Sequence, residues 1–237
     1  MPWPRPTVST RSASTDRPAA AVFADRRITD SSIAEDPLAA LKTRATDYAP
    51  GDTDLAWTRT TAWRSILASS LDSVSGRRGE PVVVKGGRVE GDPNSPTAQL
   101  LAGWLTSRCG VAIDVTESAR KAGESGVESV VLSLDQKEEV RINADRHGAA
   151  VISQPFRPDA TAALPERALG DLLSEELRRL DPDEPYSDSL EAATGLTGLA
   201  ERSPNREHVW FDPAEENGNG GRPKKRSTAQ AAAKSDS

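Results

Sequence analysis

The feature that most constrains the fold of this 237-residue chain is a strand, helix and strand in succession between residues 81 and 115. Pro81-Val-Val-Val84 reads as a short buried-type strand, followed by a Gly-rich link over residues 85–94. Ser95 and Pro96 then supply an N-cap and a first helical residue, and Ala98, Leu101, Trp104 and Leu105 recur at helical spacing until Gly110. Val111-Ala-Ile-Asp-Val115 returns as a second strand. At this length the pattern predicts a right-handed crossover joining two parallel strands. Three more strands are expected at 127–134, 139–143 and 149–153. Val130, Leu132 and Leu134 alternate there, as do Val140 and Ile142, and the intervening links are hairpin-sized.

Two long helices frame this sheet in sequence. The first is expected over 54–74, with Trp63, Ile66, Leu67, Leu71 and Val74 as its apolar stripe and Asp52 or Thr53 as its cap. The other is expected over 165–180, with Leu169, Leu172, Leu173, Leu177 and Leu180 on one face and Arg178 and Arg179 complementing the dipole of its last turn. Shorter helices are expected from the Asp36-Pro37 start and over 186–194, the latter ended by Gly195. The expected fold is therefore α+β: a mixed sheet of about five strands, one βαβ unit plus an antiparallel meander, packed by three main helices. Residues 1–24, rich in Pro, Ser, Thr and Arg, are expected to be disordered, 25–53 to form a helical arm or linker, 54–200 an α+β partner-binding domain, and 201–237 a disordered tail.

Composition narrows the function. Apolar residues make up 36% of the chain and the mean hydropathy is −0.56, so part of the length is expected to stay unpacked. The net charge of −6 argues against a general nucleic-acid binder or an anionic-membrane binder. It divides into +2 over residues 214–237 and −8 over the remainder. A single cysteine, Cys109, excludes an intramolecular disulfide and a cysteine-based metal cluster. No apolar run approaches the roughly 18 residues a membrane span needs, and Met1-Pro-Trp-Pro lacks the apolar core of a signal peptide. A cytoplasmic protein is expected.

The catalytic inventory is thin. The two histidines are His147, in a hairpin turn, and His208, near the C-terminus, so neither a metal nor another cofactor is expected. The 85–95 segment joins a strand to a helix N-terminus, where free N–H groups can hold a phosphate. Lys85, Arg88 and Ser95 would then bind a sugar phosphate or nucleotide, making the chain a sensing module. Against that, Gly86, Gly87 and Gly91 do not make the GxGxxG spacing, and the plain reading is a strand-to-helix connection. The densest aromatic and cationic cluster is Asp54, Trp57, Arg59, Trp63 and Arg64. Tryptophan and arginine are favoured interface anchors, but the same residues can pack inside while the arginines pair at the surface. The charged face around Glu175, Glu176, Arg178 and Arg179 is either solvated or part of the same interface. Lys224-Lys-Arg226 reads as a solubilising cluster.

Several stretches in order carry a resemblance: Arg26-Arg-Ile-Thr-Asp30, Asp36-Pro-Leu-Ala-Ala-Leu41, Tyr48-Ala-Pro-Gly-Asp-Thr-Asp-Leu-Ala-Trp-Thr-Arg59 into Thr61-Ala-Trp-Arg64, Ser95-Pro to Leu100-Leu-Ala-Gly-Trp-Leu105, and Leu173-Ser-Glu-Glu-Leu-Arg-Arg-Leu-Asp-Pro-Asp183. Over roughly residues 25–200 the chain resembles the glucose-6-phosphate dehydrogenase assembly protein (OpcA) family. The resemblance implies a protein that associates with the dehydrogenase opening the oxidative pentose phosphate pathway and supports its assembly or activity, with no catalysis of its own. Members of that family usually carry a longer region ahead of the Arg-Arg-Ile-Thr-Asp segment, so an N-terminally shortened member is expected. A redox control that needs a cysteine pair cannot operate through Cys109 alone.

Overall fold

Capping chemistry sets the element boundaries from the start of the described chain. The computed structural model describes residues 26–118, 126–145, 147–179 and 181–203, all within one compact unit. Strand β1 (Ile28–Thr29) leads through a 3-10 turn to helix α1 (Pro37–Thr46), which Asp36 caps by accepting from the Ala39 N–H. Strand β2 (Thr53–Asp54) pairs parallel with β1 and runs directly into helix α2 (Leu55–Thr58). Helix α3 (Thr61–Arg78), strand β3 (Val84–Gly91), helix α4 (Pro96–Cys109) and strand β4 (Ile113–Glu117) follow. Strands β5 (Val127–Leu134), β6 (Glu139–Ala144), β7 (Ala149–Ser153) and β8 (Ala160–Ala163) then form a meander. Helices α5 (Leu169–Arg178) and α6 (Glu184–Thr194) close the fold.

The main sheet has the order β4-β3-β5-β6-β7-β8, with only the β3–β4 pair parallel. The mixed α+β architecture and the parallel crossover agree with the sequence. The sixth strand, β8, departs from expectation: its Ala-Thr-Ala-Ala run has no β-branched alternation to announce it. Side chains alternate across this sheet. Val89, Val130, Ile142 and Ile152 are aligned across four strands and face α3 and α4. Glu90, Ser129 and Asn143 form the adjacent row and therefore project from the opposite, polar face.

Helix α4 is buried on two sides. Leu101 and Leu105 meet the sheet, whereas Leu100 joins Leu41, Tyr48, Trp57, Tyr186 and Leu190 in a second apolar cluster. The second contact needs Gly103, because a Cβ there would lie 2.3 Å from the Ser189 carbonyl oxygen of α6. Ser189 also donates its hydroxyl to the Leu100 carbonyl at 2.6 Å, so a side chain of α6 is tied to the backbone of α4. Residues 27–54 thus pack into the body, through Leu41, Ala45 and Tyr48, rather than standing off as an arm.

Three boundaries differ from expectation. The strand expected at 81–84 begins at Val84 and continues through the supposed Gly-rich link. Cβ atoms at Gly87 and Gly91 would meet the Val131 and Gly126 carbonyl oxygens at 2.4 and 2.1 Å, so these glycines permit close strand approach instead of forming a loop. The helix expected over 54–74 breaks at Arg59 and Thr60, with Asp54 capping its first piece in place of Asp52 or Thr53. The Thr60 hydroxyl donates to the Trp57 carbonyl at 2.7 Å and competes with helix continuation. The helix expected over 165–180 is shortened to Leu169–Arg178, and Leu169 and Leu177 of its apolar stripe are exposed. The 1–24 stretch, Leu180, all of the 201–237 tail beyond residue 203, His208 and Lys224-Lys-Arg226 lie outside the described residues.

Candidate partner-binding site

Breaking the helix at residues 59–60 turns two sets of polar side chains toward α5 and the 26–30 segment. Asp54 accepts from the Ala56 N–H at 2.9 Å, from the Ser31 N–H at 3.0 Å, from the Ser31 hydroxyl at 2.6 Å and from the Thr29 hydroxyl at 2.8 Å. Its charge is consumed in fixing α2 to β1, which makes its complete burial tolerable. Arg59 grips Asp30 with two hydrogen bonds of 2.8 and 2.7 Å. Arg27 spans Asp47 and Asp52 at 2.7 and 2.8 Å. Each charged residue of the Arg-Arg-Ile-Thr-Asp segment therefore holds a different element.

The other set surrounds α5. Glu176 is fully buried, accepting from Arg26 at 2.7 Å and from the Thr58 hydroxyl at 2.8 Å, and Arg26 also donates to the Arg179 carbonyl. The reading of Glu176 as part of an exposed charged face is thus corrected: Arg26 on one side and α2 on the other close over this carboxylate and put it inside. Glu175 accepts from Thr61 and Arg179, both at 2.9 Å, and from Arg167. Burial pushes the Glu175 carboxyl up, but these hydrogen bonds, led by that from Arg167, outweigh it and hold the group below its ordinary range. Arg179 bridges onward to Asp183, which accepts from Trp57 Nε1 at 2.9 Å.

Arg64 stacks on Trp57, its guanidinium carbon 3.7 Å from the ring centroid, and hydrogen-bonds Thr60 and Thr61 at 2.8 and 3.1 Å. Burial pulls its pKa down to about 10, against the attraction of Asp183 and Glu175. Seven residues separate Trp57 and Arg64 in sequence, and the kinked helix still stacks them.

The residues singled out from sequence therefore divide. Asp54, Trp57, Trp63 and Glu176 lie inside, with Trp63 packed in the cluster under the sheet, so none presents a free surface anchor in this fold. Arg59, Arg64, Glu175 and Arg179 form a half-buried rim around them. Arg26, Asp30, Thr58, Arg167 and Asp183 complete the cluster, and sequence reasoning misses them. Their signal is weak, since charges on a short extended segment and one threonine in a helical stripe look like ordinary surface.

Lys85, Arg88 and Ser95 do not converge. Lys85 is exposed near the start of β3, and six strand residues at ~3.3 Å each put Gly91 about 20 Å away. Arg88 pairs with Glu90 at 2.7 Å on the polar face. Ser95 accepts from the Ala98 N–H at 3.3 Å and caps α4. Arg88, Glu90, Arg59, Trp63, Arg141 and His147 share the wall of one open groove of about 1620 Å³, which runs from the α2–α3 kink past the strand ends. Within the wall Arg88 pairs with Glu90, which also accepts from the Ser129 hydroxyl, whereas Arg59, Arg141 and Arg167 pair with Asp30, Glu139 and Glu175 beyond it.

The family model for the C-terminal domain of the glucose-6-phosphate dehydrogenase subunit, of the OpcA type, matches residues 50–190, more than half of the chain. The chain belongs to this family. The match takes in α2 through most of α6, including the kink, the groove wall and α5, while the Arg-Arg-Ile-Thr-Asp segment and α1 precede it. A comparison with curated protein sequences gave no match. Among the described residues no helix is long and apolar enough to cross a membrane, and no three His, Cys, Asp or Glu residues form a group that could hold a metal ion.

Proposed function

We propose that the chain is a non-catalytic assembly factor that binds glucose-6-phosphate dehydrogenase and shifts it toward its assembled, more active state. The observation that carries this reading is the family match over residues 50–190, a family described by its link to that dehydrogenase. The chemistry of the polar junction is compatible with it: its carboxylates and guanidiniums are spent on one another, as Glu176 on Arg26 and Asp30 on Arg59, which suits a rigid docking frame better than proton transfer. The surface proposed for docking is the rim of that frame, Arg59, Arg64, Glu175 and Arg179, with Asp54, Trp57, Trp63 and Glu176 holding it from beneath. A preference for one state of the dehydrogenase then raises its population in proportion to the difference in affinity. The proposed setting is the cytoplasm.

The test is a titration of the same organism's dehydrogenase with the purified chain, followed by activity and by elution on a sizing column. Saturable stimulation with co-elution is expected. Absence of both stimulation and co-elution would refute the assignment.

A further inference from the structure

Helix α5 is attached to the body in an unusual way. Helix α4 buries eight of its fourteen residues, nearly all of them apolar or small. Helix α5 buries two of its ten, Leu172 and Glu176. Leu172 meets Ile28 and Leu55 in a small cluster separate from the two larger ones. Leu173 packs partly against the same cluster, and the remaining attachment is polar: Glu176 depends on Arg26 and Thr58, and Glu175 accepts from Thr61 of α3. The leucines on either side, Leu169 and Leu177, are 51% and 40% exposed, so little apolar area is lost when this helix leaves. Nor is the polar attachment complete, because the buried Arg26 Nε makes no hydrogen bond among the described residues.

We propose that α5 is a detachable helix and that the Arg26–Glu176 contact is its catch. The helix leaves α2 as a unit while the main sheet, α3 and α4 remain folded. The physical basis is the contrast in attachment. A segment held by many apolar contacts opens only with the whole domain, whereas one held by a small leucine contact and a few hydrogen-bonded carboxylates opens on its own. Arg26 sits in the extended segment ahead of β1 and also donates to the Arg179 carbonyl at the end of α5, so one side chain closes over the helix terminus and its buried carboxylate together. Removing Arg26 leaves Glu176 buried without its cation and releases α5 selectively.

The experiment is hydrogen exchange of the full chain followed by mass spectrometry, comparing peptides over 169–178 with peptides over 96–109. In the unaltered protein α5 is expected to exchange at least about a hundredfold faster than α4. Arg26→Ala is expected to speed α5 at least about a further tenfold and leave α4 unchanged. The paired change Arg26→Leu with Glu176→Leu removes the buried charge together with its partner and is expected to restore α5 protection above that of Arg26→Ala. Equal exchange of α5 and α4 in the unaltered protein would overturn the proposal, and this comparison needs no variant to fold. Equal acceleration of both helices by Arg26→Ala would overturn it as well, since the contact would then belong to the global unit.

Discussion

The layer between the main sheet and α3–α4 and the junction of α2 with α5 are built from opposite materials. In the first, Val89, Val130, Ile142 and Leu101 meet without a charged group among them. In the second, Asp54, Glu176 and Asp30 are each held by partners from elements distant in sequence. The dry layer is non-directional and tolerates changes of similar volume. The polar junction fixes angles and register, because a misplaced carboxylate there loses its partners. The difference teaches how a docking surface can be oriented without a large apolar patch: the rim residues Arg59, Glu175 and Arg179 are set by hydrogen bonds to neighbours, not by burial alone.

The strongest way to break this contrast is to treat the dry layer as if it were polar. Leu101→Ala, at a fully buried site on α4, is expected to cost about 2–5 kcal/mol, read as a loss in denaturant midpoint with a single transition for the whole unit. A cost below about 1 kcal/mol would mean that this layer is loosely packed. Gly103→Ala tests the α4–α6 contact. The new methyl group must push the Ser189 carbonyl away, which is expected to cost about 1–3 kcal/mol. Trp57→Phe addresses the junction: it removes the hydrogen bond to Asp183 and weakens the platform under Arg64, for an expected loss of about 1–2 kcal/mol. If the junction is rigid, the same variant lowers dehydrogenase affinity although Trp57 is buried.

The smallest effect concerns pH. The hydrogen bond from Arg78 is the leading cause that holds the Asp135 carboxyl below its ordinary range. A depressed carboxyl contributes stability that is complete above its unfolded value, near ~3.9, and is lost as pH falls through the lower folded value. Arg78→Ala is therefore expected to lower stability at neutral pH and to flatten the acid limb, so that the variant and the unaltered protein converge as pH falls below about 4. An unchanged acid limb would show that the pair is no more than a surface contact.

Periodicity makes the dry layer legible in the sequence and leaves the junction largely hidden. Alternation in Leu132-Ser-Leu134 and Val140-Arg-Ile142 announces strands because one face of an antiparallel sheet is buried and the other wet. The Ser95-Pro96 start and the Gly110 stop bound α4 for the same local reasons they bound helices generally. The β3 glycines mislead, because close approach to a neighbouring backbone and loop flexibility both call for glycine, and only the neighbour distinguishes them. Glu176 reads as an outside residue because a carboxylate on an amphipathic helix ordinarily belongs there. Its burial depends on Arg26, 150 residues away in sequence, a pairing no local pattern encodes. Trp57 and Arg64 stand out as a pair, but their spacing does not say whether they face a partner or each other.

The measurement that tests the central claim most directly is hydrogen exchange of this chain with and without the dehydrogenase. The account predicts added protection over the junction, in residues 55–64 and 169–179, with the polar face of β5 and β6 unchanged. Protection confined to that sheet face, or no protection anywhere at saturating dehydrogenase, would contradict it.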